Sequence, residues 1–384
     1  MKTKPVRYRP GRVRDAILRV LTDAGEPMSV KDIENRVARI IGPTPQSSVR
    51  SYLNLNTPQS FVREGRGLYS VQGTFEAMDP PEVKVPQQEP AFKYRDAELY
   101  HADCFAWLKA RRDMSIHAVV TDPPYGLHEY APDQQEKLHN GKGGVWRIPP
   151  SFDGHTRSPL PRFTTLTEDQ LTELKQFFTQ WGRLLLPKLV PGAHVLLAAN
   201  PLLSYIISSA LAEAGLERRG EIVRLTMTMR GGDRPKDAHL EFPETSIMPR
   251  SMWEPWLVYR RPLEGRAQDN LRKWGTGGFR RPSLEKPFGD VIASAPTRKA
   301  ERDLAPHPSL KPQSFLRQVV RAVLPLGKGV VLDPFAGGGS TLAAALAVGY
   351  QSIGVEKDAR YFDVARKAIP RLAAYTPKAQ ELEI

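Results

Sequence analysis

Near the N-terminus, apolar side chains recur every three or four residues, which is the spacing of one face of a helix. Four residues carry this pattern: Val13, Ile17, Val20 and Leu21. Gly25 and Pro27 predict the end of that helix, and Ser29 followed by Asp32 forms a capping pattern that begins a second one. The apolar face of the second helix would carry three residues: Ile33, Val37 and Ile40. The pattern therefore predicts two short amphipathic helices.

A third helix and a β-hairpin are predicted next. Thr44 is expected to cap the helix and Pro45 to occupy its first position. Four polar side chains of this helix would point outward: Gln46, Ser47, Arg50 and Asn54. Residues 61–71 read as two short strands around a glycine turn. Three helices and a hairpin predict a winged helix-turn-helix domain over residues 1–76, and it resembles the modules appended to restriction-modification proteins.

The predicted N-terminal domain is basic, with thirteen Lys and Arg against six Asp and Glu up to Phe75. This charge favours contact with DNA, with the third helix in the major groove and arginines near phosphate. The candidate DNA-binding residues are Arg50, Arg63 and Arg66. A protein-contact or dimerisation domain would suit the same pattern, and both interpretations stay open.

After a proline-rich linker over residues 77–93, apolar β-branched runs alternate with helical segments over residues 94–384. Two of these runs, residues 117–120 and 329–332, are each followed by a short distinctive motif. Strands alternating with helices predict an open parallel α/β sheet, and such sheets bind their ligands at the carboxyl ends of the strands. Both motifs are therefore candidate functional sites.

The first motif, Asp122-Pro123-Pro124-Tyr125, has the chemistry needed to bind a flat base through its exocyclic amine. The Asp122 carboxylate and the Pro123 carbonyl can accept both N–H bonds, so that the nitrogen pyramidalises and gains electron density. Successive prolines fix the backbone, and Tyr125 offers a face on which a flipped base can stack. An ordinary surface turn also uses Asp-Pro-Pro, but the presence of a second motif favours the functional interpretation.

The second motif, residues 333–341, places three glycines after a buried strand, which permits close approach of the backbone to a ligand. No lysine follows the glycines and the spacing differs from G-x-G-x-x-G, which excludes the P-loop and the dinucleotide fingerprint. The next strand, residues 351–355, ends in Glu356, where an acid can bind ribose hydroxyls. The motif therefore predicts a cofactor loop.

Together the two motifs resemble the amino-methylating DNA methyltransferases, and their order along the chain resembles the permuted β class. Over nearly all of residues 94–373, the resemblance implies a circularly permuted Rossmann-like α/β sheet and S-adenosyl-L-methionine as the cofactor, with no metal ion. It implies that Asp103 and Cys104 contact the adenine of the cofactor and that Lys311 contacts its methionine end. The catalytic residues that it implies are Asp122, Pro123, Pro124 and Tyr125. The cofactor-binding residues that it implies are Asp103, Cys104, Lys311, Asp333, Phe335, Gly337, Gly339, Ser340, Thr341 and Glu356.

Two of these assignments have structural alternatives. An acidic residue at a helix start, such as Asp103, is commonly a helix cap. The segment around Lys311 also reads as a proline-bounded entry into a helix. Both alternatives stay open at this stage.

The whole chain of 384 residues has a formal net charge of +13, which favours a partner that is negative along its length, such as double-stranded DNA. Residues 229–305 are the candidate target-recognition region, although their charges would also suit a solvated face. The residues there that we expect to contact DNA are Arg272, Lys273, Arg280 and Arg281.

The composition also indicates the cellular compartment in which the protein works. The single cysteine, Cys104, excludes a disulfide framework. No apolar run approaches the ~20 residues of a membrane helix, and the N-terminus lacks a signal-peptide pattern. These features predict a cytoplasmic protein without a membrane partner.

The resemblance therefore implies a site-specific DNA methyltransferase. In the β class that the chain resembles, N4-cytosine members more often carry Ser before Pro-Pro-Tyr, so Asp122 favours the N6 of adenine as the acceptor, with the N4 of cytosine as the alternative. A DNA-binding regulator on an inactive methyltransferase scaffold is a further alternative, although the intact motifs disfavour it. The sequence leaves open whether the protein is a homodimer and whether a separately encoded restriction endonuclease accompanies it.

Overall fold

A computed structural model of the chain describes residues 12–57, 60–71, 89–125, 151–152, 155–156, 167–230, 234–235, 238–249 and 251–377. The chain divides into two compact units, Met1–Glu82 and Val83–Ile384. The expected linker over residues 77–93 spans this division, and its residues 77–88 lie outside the described part. Its last two residues, Phe92 and Lys93, belong to a strand of the second unit, because Phe92 packs against the buried Leu99 cluster.

The first unit contains three helices and a three-stranded antiparallel sheet. Its helices are α1 (Arg12–Ala24), α2 (Val30–Ile41) and α3 (Gln46–Leu55). Its strands are β1 (Met28–Ser29), β2 (Phe61–Gly65) and β3 (Leu68–Val71), in the order β1-β3-β2. The four apolar residues predicted for α1 are all buried, and Ser29 caps α2 by accepting from the N–H of Asp32. The helices and the hairpin thus lie where the sequence pattern placed them.

Three details of this unit differ from the sequence expectations. Pro45 has extended dihedral angles and is the residue before the first turn of α3, so the helix begins at Gln46 rather than at Pro45. Thr44 does not cap the helix, because its hydroxyl donates to the carbonyl of Gly42 at 2.9 Å. Ile40 is 43% exposed, and Ile41 packs against the core in its place.

A nine-stranded mixed sheet forms the centre of the second unit. Its strands are β4 (Phe92–Tyr94), β5 (Ala97–His101), β6 (Ile116–Thr121), β9 (Leu189–Ala198), β10 (Glu217–Arg230), β11 (Ser251–Arg260), β12 (Val291–Ala293), β13 (Val330–Asp333) and β14 (Gln351–Glu356). Between β6 and β9 in sequence, β7 (Ser151–Phe152) and β8 (His155–Thr156) form a separate two-stranded sheet. The order in the large sheet is β12-β10-β11-β9-β6-β13-β14-β5-β4. The five strands from β9 to β5 in this order are mutually parallel, whereas β11 and β4 run antiparallel to their neighbours β9 and β5.

Helices cover both faces of this sheet. They are α4 (Cys104–Ala110), α5 (Glu168–Leu185), α6 (Ser204–Glu213), α7 (Ala267–Trp274), α8 (Lys299–Leu304), α9 (Gln313–Val323), α10 (Ser340–Ala347) and α11 (Ala359–Ala374). Alternate residues of a strand point to opposite faces. Val119 of β6 therefore packs toward α4, α5 and α6, whereas Val120 packs toward α9 and α10.

None of the helices in the described part of the chain is both long and apolar enough to cross a bilayer.

Candidate active site

Four neighbouring strands carry the motif residues at one edge of the sheet. β6 ends just before Asp122, β13 ends at Asp333, β14 ends at Glu356, and Asp103 follows β5. These strands are adjacent and parallel in the order β6-β13-β14-β5, so their carboxyl ends share one edge. The prediction that both motifs follow strand ends is confirmed, and the sheet places the two motifs side by side.

Asp122 and Tyr125 form a hydrogen-bonded group with Lys311. The hydroxyl of Tyr125 lies 2.8 Å from Oδ1 of Asp122. The Nζ of Lys311 donates to Oδ2 of Asp122 at 2.6 Å and to the Tyr125 hydroxyl at 3.1 Å. Pro123, between Asp122 and Tyr125 in sequence, is buried. Lys311 thus lies against the motif of residues 122–125, whereas the resemblance had implied contact with the methionine end of the cofactor.

A second carboxylate, Glu254 of β11, joins this group and was not identified from the sequence. Its Oε1 lies 2.8 Å from the Tyr125 hydroxyl and 3.2 Å from Nζ of Lys311. Its Oε2 accepts from Nη1 of Arg224 at 2.8 Å and from the indole N–H of Trp256 at 3.1 Å. We use the name polar cluster for five residues: Asp122, Tyr125, Lys311, Glu254 and Arg224.

The register of β10 and β11 explains how Glu254 and Arg224 meet. The two residues are direct cross-strand partners. They share a face with Ile222 and Trp256, which pack in the core beneath α9. The sequence does contain a signal for this pair. Arg224 interrupts the apolar run of β10, Glu254 interrupts that of β11, and the two charges are opposite. Their pairing could not be inferred from the sequence, since twenty residues separate the ends of the two strands and a register shift follows Leu225.

Burial and mutual contact set the charges of the polar cluster. Burial and the carboxylates of Asp122 and Glu254 raise the pKa of Tyr125 well above its ordinary value, so its hydroxyl stays protonated. Burial also raises the pKa of Asp122, against the opposing effect of Lys311. For Glu254, burial opposes ionisation, but Lys311 and Arg224 outweigh it and lower the pKa. Glu254 is therefore the more firmly ionised carboxylate of the two.

Asp333 links the two motifs. Its Oδ1 accepts from the hydroxyl of Thr121, the last residue of β6, at 2.7 Å and from the N–H of Phe335 at 3.2 Å. Asp333 is only 3% exposed, and this burial raises its pKa to about 6. A buried carboxylate at the start of the glycine loop thus anchors the strand that carries Asp122.

The glycine loop folds against Glu356. Gly337 and Gly339 have backbone φ values of +50° and +77°, which residues other than glycine rarely adopt. The carboxylate of Glu356 accepts from the N–H of Gly337 at 2.8 Å and from the N–H of Asp358 at 2.7 Å. Burial raises the pKa of Glu356. Each carboxylate oxygen has two lone pairs, so Glu356 has acceptor capacity beyond these two bonds.

The two residues assigned to the adenine lie at the start of α4. The carboxylate of Asp103 caps this helix by accepting from the N–H groups of Phe105 and Ala106. Cys104 is buried, and burial, followed by the charge of Asp103, raises the pKa of its thiol to about 12. Asp103 thus performs the structural role of a helix cap, which was the alternative to its predicted contact with the adenine.

The other predicted cofactor residues surround the loop in different ways. Phe335 packs its ring against Phe177 and Trp181, with centroids 6.2 and 5.9 Å away. Ser340 and Thr341 begin α10. Thr341 is buried and its hydroxyl bonds to Asp333.

His307 is a further residue at the loop. Its imidazole would lie 3.1 Å from a Cβ placed on Gly337, and its ring centroid is 4.4 Å from that of Tyr361. Burial lowers the pKa of His307 to about 4. His307 is therefore neutral near pH 7 and forms one wall of the loop.

The basic residues of the second unit have varied surroundings. Arg272 is exposed and pairs with Asp269 at 3.0 Å, and Lys273 is exposed and pairs with Glu264 at 2.5 Å. Arg281 is exposed. Arg280 is half-buried and donates to the Tyr350 hydroxyl at 2.8 Å, so its side chain already has a partner within the protein.

In the first unit, the three arginines predicted to contact DNA have exposed side chains. Arg50 on α3 donates to the nearly buried carboxylate of Glu34 at 3.0 Å. Arg63 lies on β2, and Arg66 lies in the turn between β2 and β3. The outward positions predicted for Gln46, Ser47, Arg50 and Asn54 are also exposed.

Within the described part of the chain, no group of three or more His, Cys, Asp or Glu side chains is placed to hold a metal ion.

Comparison with known proteins identifies relatives of this chain. Residues 242–367 match a protein family described as DNA methylase, the N6/N4 methyltransferases. The Type II methyltransferase M2.DpnII of Streptococcus pneumoniae is 23% identical over 290 residues, which cover 74% of this chain and 94% of that protein. The Type II methyltransferase M.HindIII of Haemophilus influenzae is 23% identical over 293 residues, which cover 70% of this chain and 93% of that protein.

Solved structures of two methyltransferases also align with the chain. The cytosine-N4-specific PvuII DNA methyltransferase is 13% identical with a TM-score of 0.49, and the alignment covers 76% of this chain and 91% of that one. The complex of M1.HpyAVI with S-adenosylmethionine is 18% identical with a TM-score of 0.45, over 71% and 98% of the two chains.

The family match takes in Glu254, Lys311, the glycine loop and Glu356, and the curated relatives extend the similarity over more than two thirds of the chain. The chain is therefore similar to the N6/N4 DNA methyltransferases and to Type II methyltransferases, and together these findings support an amino-methyltransferase.

Proposed function

We propose that this protein transfers a methyl group from S-adenosyl-L-methionine to the exocyclic N6 of an adenine that has been flipped out of duplex DNA. The observation that carries the proposal is the position of Asp122. Its carboxylate lies at the end of β6, beside the glycine loop that begins at Asp333, and the two are joined through Thr121. An amine bound to Asp122 would therefore lie next to the loop that is proposed to hold the methyl donor.

The protein's part in the reaction is to bind and align the amine. Asp122 and the carbonyl of Pro123 would accept the two N–H bonds, and the Tyr125 ring would stack on the base. When the nitrogen takes up a methyl group it must release one proton. Asp122 is the nearest acceptor in this arrangement, and its raised pKa suits it to hold that proton.

The residues of the glycine loop fit S-adenosyl-L-methionine. Gly337 and Gly339 let the loop turn tightly against His307 and Ile369, and Glu356 retains acceptor capacity that ribose hydroxyls can use. We propose that the adenine lies near Asp103 and Cys104. When bound, the cofactor would supply an electrophilic methyl group whose leaving group departs as a neutral thioether.

Adenine is favoured over cytosine because Asp rather than Ser precedes Pro-Pro-Tyr. Mass spectrometry of nucleosides from plasmid DNA, incubated with the protein and labelled S-adenosyl-L-methionine, tests this. We expect N6-methyladenine. N4-methylcytosine would keep the mechanism and overturn the choice of base, whereas cofactor binding without any methylated base would overturn DNA as the acceptor.

We also propose that the first unit is a winged helix-turn-helix domain that contacts DNA through Arg63 and Arg66. In the full chain, the double variant Arg63→Gln, Arg66→Gln should weaken duplex binding. Each lost phosphate contact should reduce the slope of log K against log salt by ~0.9. The control is Arg19→Gln, an arginine of α1 that is 70% exposed. Equal slopes in the double variant and the wild type would assign the first unit to protein contact instead.

A further inference from the structure

Glu254 lies opposite Asp122, and the proposed reaction gives this second carboxylate no role. The Tyr125 hydroxyl lies 2.8 Å from each of the two carboxylates. Lys311 likewise lies between them, 2.6 Å from Asp122 and 3.2 Å from Glu254. Two donors thus each have two carboxylate acceptors within reach.

This arrangement bears on how Asp122 can bind a target amine. Its Oδ1 lies next to the Tyr125 hydroxyl and its Oδ2 accepts from Lys311. An incoming amine must share or take over these positions. A buried ammonium or hydroxyl that loses its acceptor without replacement costs ~1–3 kcal/mol or more. Without a second acceptor, the displaced donors would therefore oppose binding of the amine.

Glu254 supplies that second acceptor. A tyrosine hydroxyl carries a single hydrogen, so Tyr125 can donate to only one carboxylate at a time. Lys311 has three N–H bonds, and Asp122, Tyr125 and Glu254 surround it. If Asp122 turns to the amine, both donors can stay bonded to Oε1 of Glu254 with small movements.

The other carboxylate oxygen of Glu254, Oε2, is held in place by two donors. Arg224, opposite Glu254 on β10, donates to its Oε2, and so does Trp256. Arg224 is itself buried and fixed by Ser294 at 3.0 Å and by the carbonyl of Ala295 at 3.1 Å. Oε1 is therefore directed at Tyr125 and Lys311, and the carboxylate stays charged.

We propose that Glu254 is a positioning residue that takes the Tyr125 hydroxyl and the Lys311 ammonium from Asp122 when the target amine binds. The proposal rests on the proposed amino-methyltransferase function. It assigns to a residue of β11 a role that is exerted through Tyr125 and Lys311 rather than on the base itself.

The test is Glu254→Gln, which keeps the size of the side chain. Glutamine has one acceptor oxygen, so it cannot serve Arg224 and Trp256 on one side and Tyr125 and Lys311 on the other. The matched control is Glu217→Gln. Glu217 pairs with Arg260 across the same two strands, so this change also removes one carboxylate from a cross-strand ion pair.

The measurement is the single-turnover methylation rate at saturating DNA and cofactor, together with the Kd values for each. Loss of a charge-assisted contact is expected to slow Glu254→Gln about tenfold or more. The Kd for the cofactor should stay within about twofold of wild type, because the bonds of Glu254 are to Tyr125, Lys311, Arg224 and Trp256 and not to the glycine loop. Any loss of duplex affinity should be smaller than the loss of rate, because phosphate contacts are expected to supply most of that affinity. Glu217→Gln should react at the wild-type rate. A wild-type rate in Glu254→Gln would overturn the inference alone, and a wild-type protein that methylates no duplex would overturn the proposed function with it.

A double-variant cycle separates positioning from general support of the fold. If Glu254 acts by drawing Lys311 away from Asp122, the change Glu254→Gln should matter less once Lys311→Gln has removed the ammonium. The double variant should then be about as slow as Lys311→Gln alone. Rate losses that simply multiply would show that the two residues act independently and would refute the role proposed for Glu254.

Discussion

Asp333→Asn offers a quantitative test of the electrostatics of the site. The carboxyl of Asp333 is buried, and its pKa is raised from 3.8 to about 6. Ionising it in the folded state therefore costs more than ionising it in the unfolded chain. A shift of about two pKa units corresponds to ~3 kcal/mol.

The sign of the effect follows from proton binding. Between about pH 4 and pH 6 the folded state holds a proton on Asp333 that the unfolded state has released. The stabilisation is therefore fully present below pH 4 and is lost as the pH rises through 6. Asparagine has no such titration, so the free energy of unfolding of Asp333→Asn should rise relative to wild type by up to ~3 kcal/mol between pH 4 and pH 8. The hydrogen bonds lost in the variant add an offset that does not vary with pH.

Urea unfolding followed by tryptophan fluorescence measures this difference. All six tryptophans lie in the second unit, so the signal reports the unit that contains Asp333. The control is Asp290→Asn, which makes the same replacement at an exposed position of the second unit. A difference between Asp333→Asn and wild type that stays constant from pH 4 to pH 8 would refute the reasoning.

Two further predictions concern the motifs. Asp122→Ala should lower methylation by at least about a hundredfold and leave the Kd for the cofactor unchanged, because Lys311 keeps Glu254 as a partner; unchanged turnover would contradict the proposed role of Asp122. Gly339→Ala should unfold at lower urea than Gly349→Ala. Both glycines have φ near +77°, but only a Cβ on Gly339 meets a neighbour, 2.6 Å from Cγ1 of Ile369, which adds ~1–3 kcal/mol of overpacking. Equal midpoints would show that the loop can move away from Ile369.

The sequence was most informative where function depends on a short contiguous motif. Asp122 and Asp333 each follow an apolar β-branched run, and both lie at the ends of parallel strands as expected. Glu356 also ends its strand as predicted. In these cases the local pattern specifies the strand, and the general rule for parallel sheets specifies where its end lies.

The same reasoning failed where contacts join distant segments. Lys311 reaches Asp122 across 189 residues, and Glu254 reaches Tyr125 across 129. The strand register that places Glu254 opposite Arg224 follows from sheet pairing rather than from either strand's own sequence. Local rules also missed the start of α3, because Pro45 fits the residue before a helix as well as the first residue within it.

The charges of the polar cluster suit a ligand different from the one suggested by the charge of the whole chain. Two carboxylates, Asp122 and Glu254, face two cations, Lys311 and Arg224. Buried charges are tolerated when they are paired in this way, and the balanced set presents no net charge to what enters. A neutral nucleobase can therefore bind without bringing a counterion, whereas the formal charge of +13 belongs to the chain as a whole. Under the proposed function, attraction to the phosphate backbone and recognition of the base would be functions of different residues, so a surface arginine variant should change the salt dependence of binding, and a cluster variant should change the rate of methyl transfer.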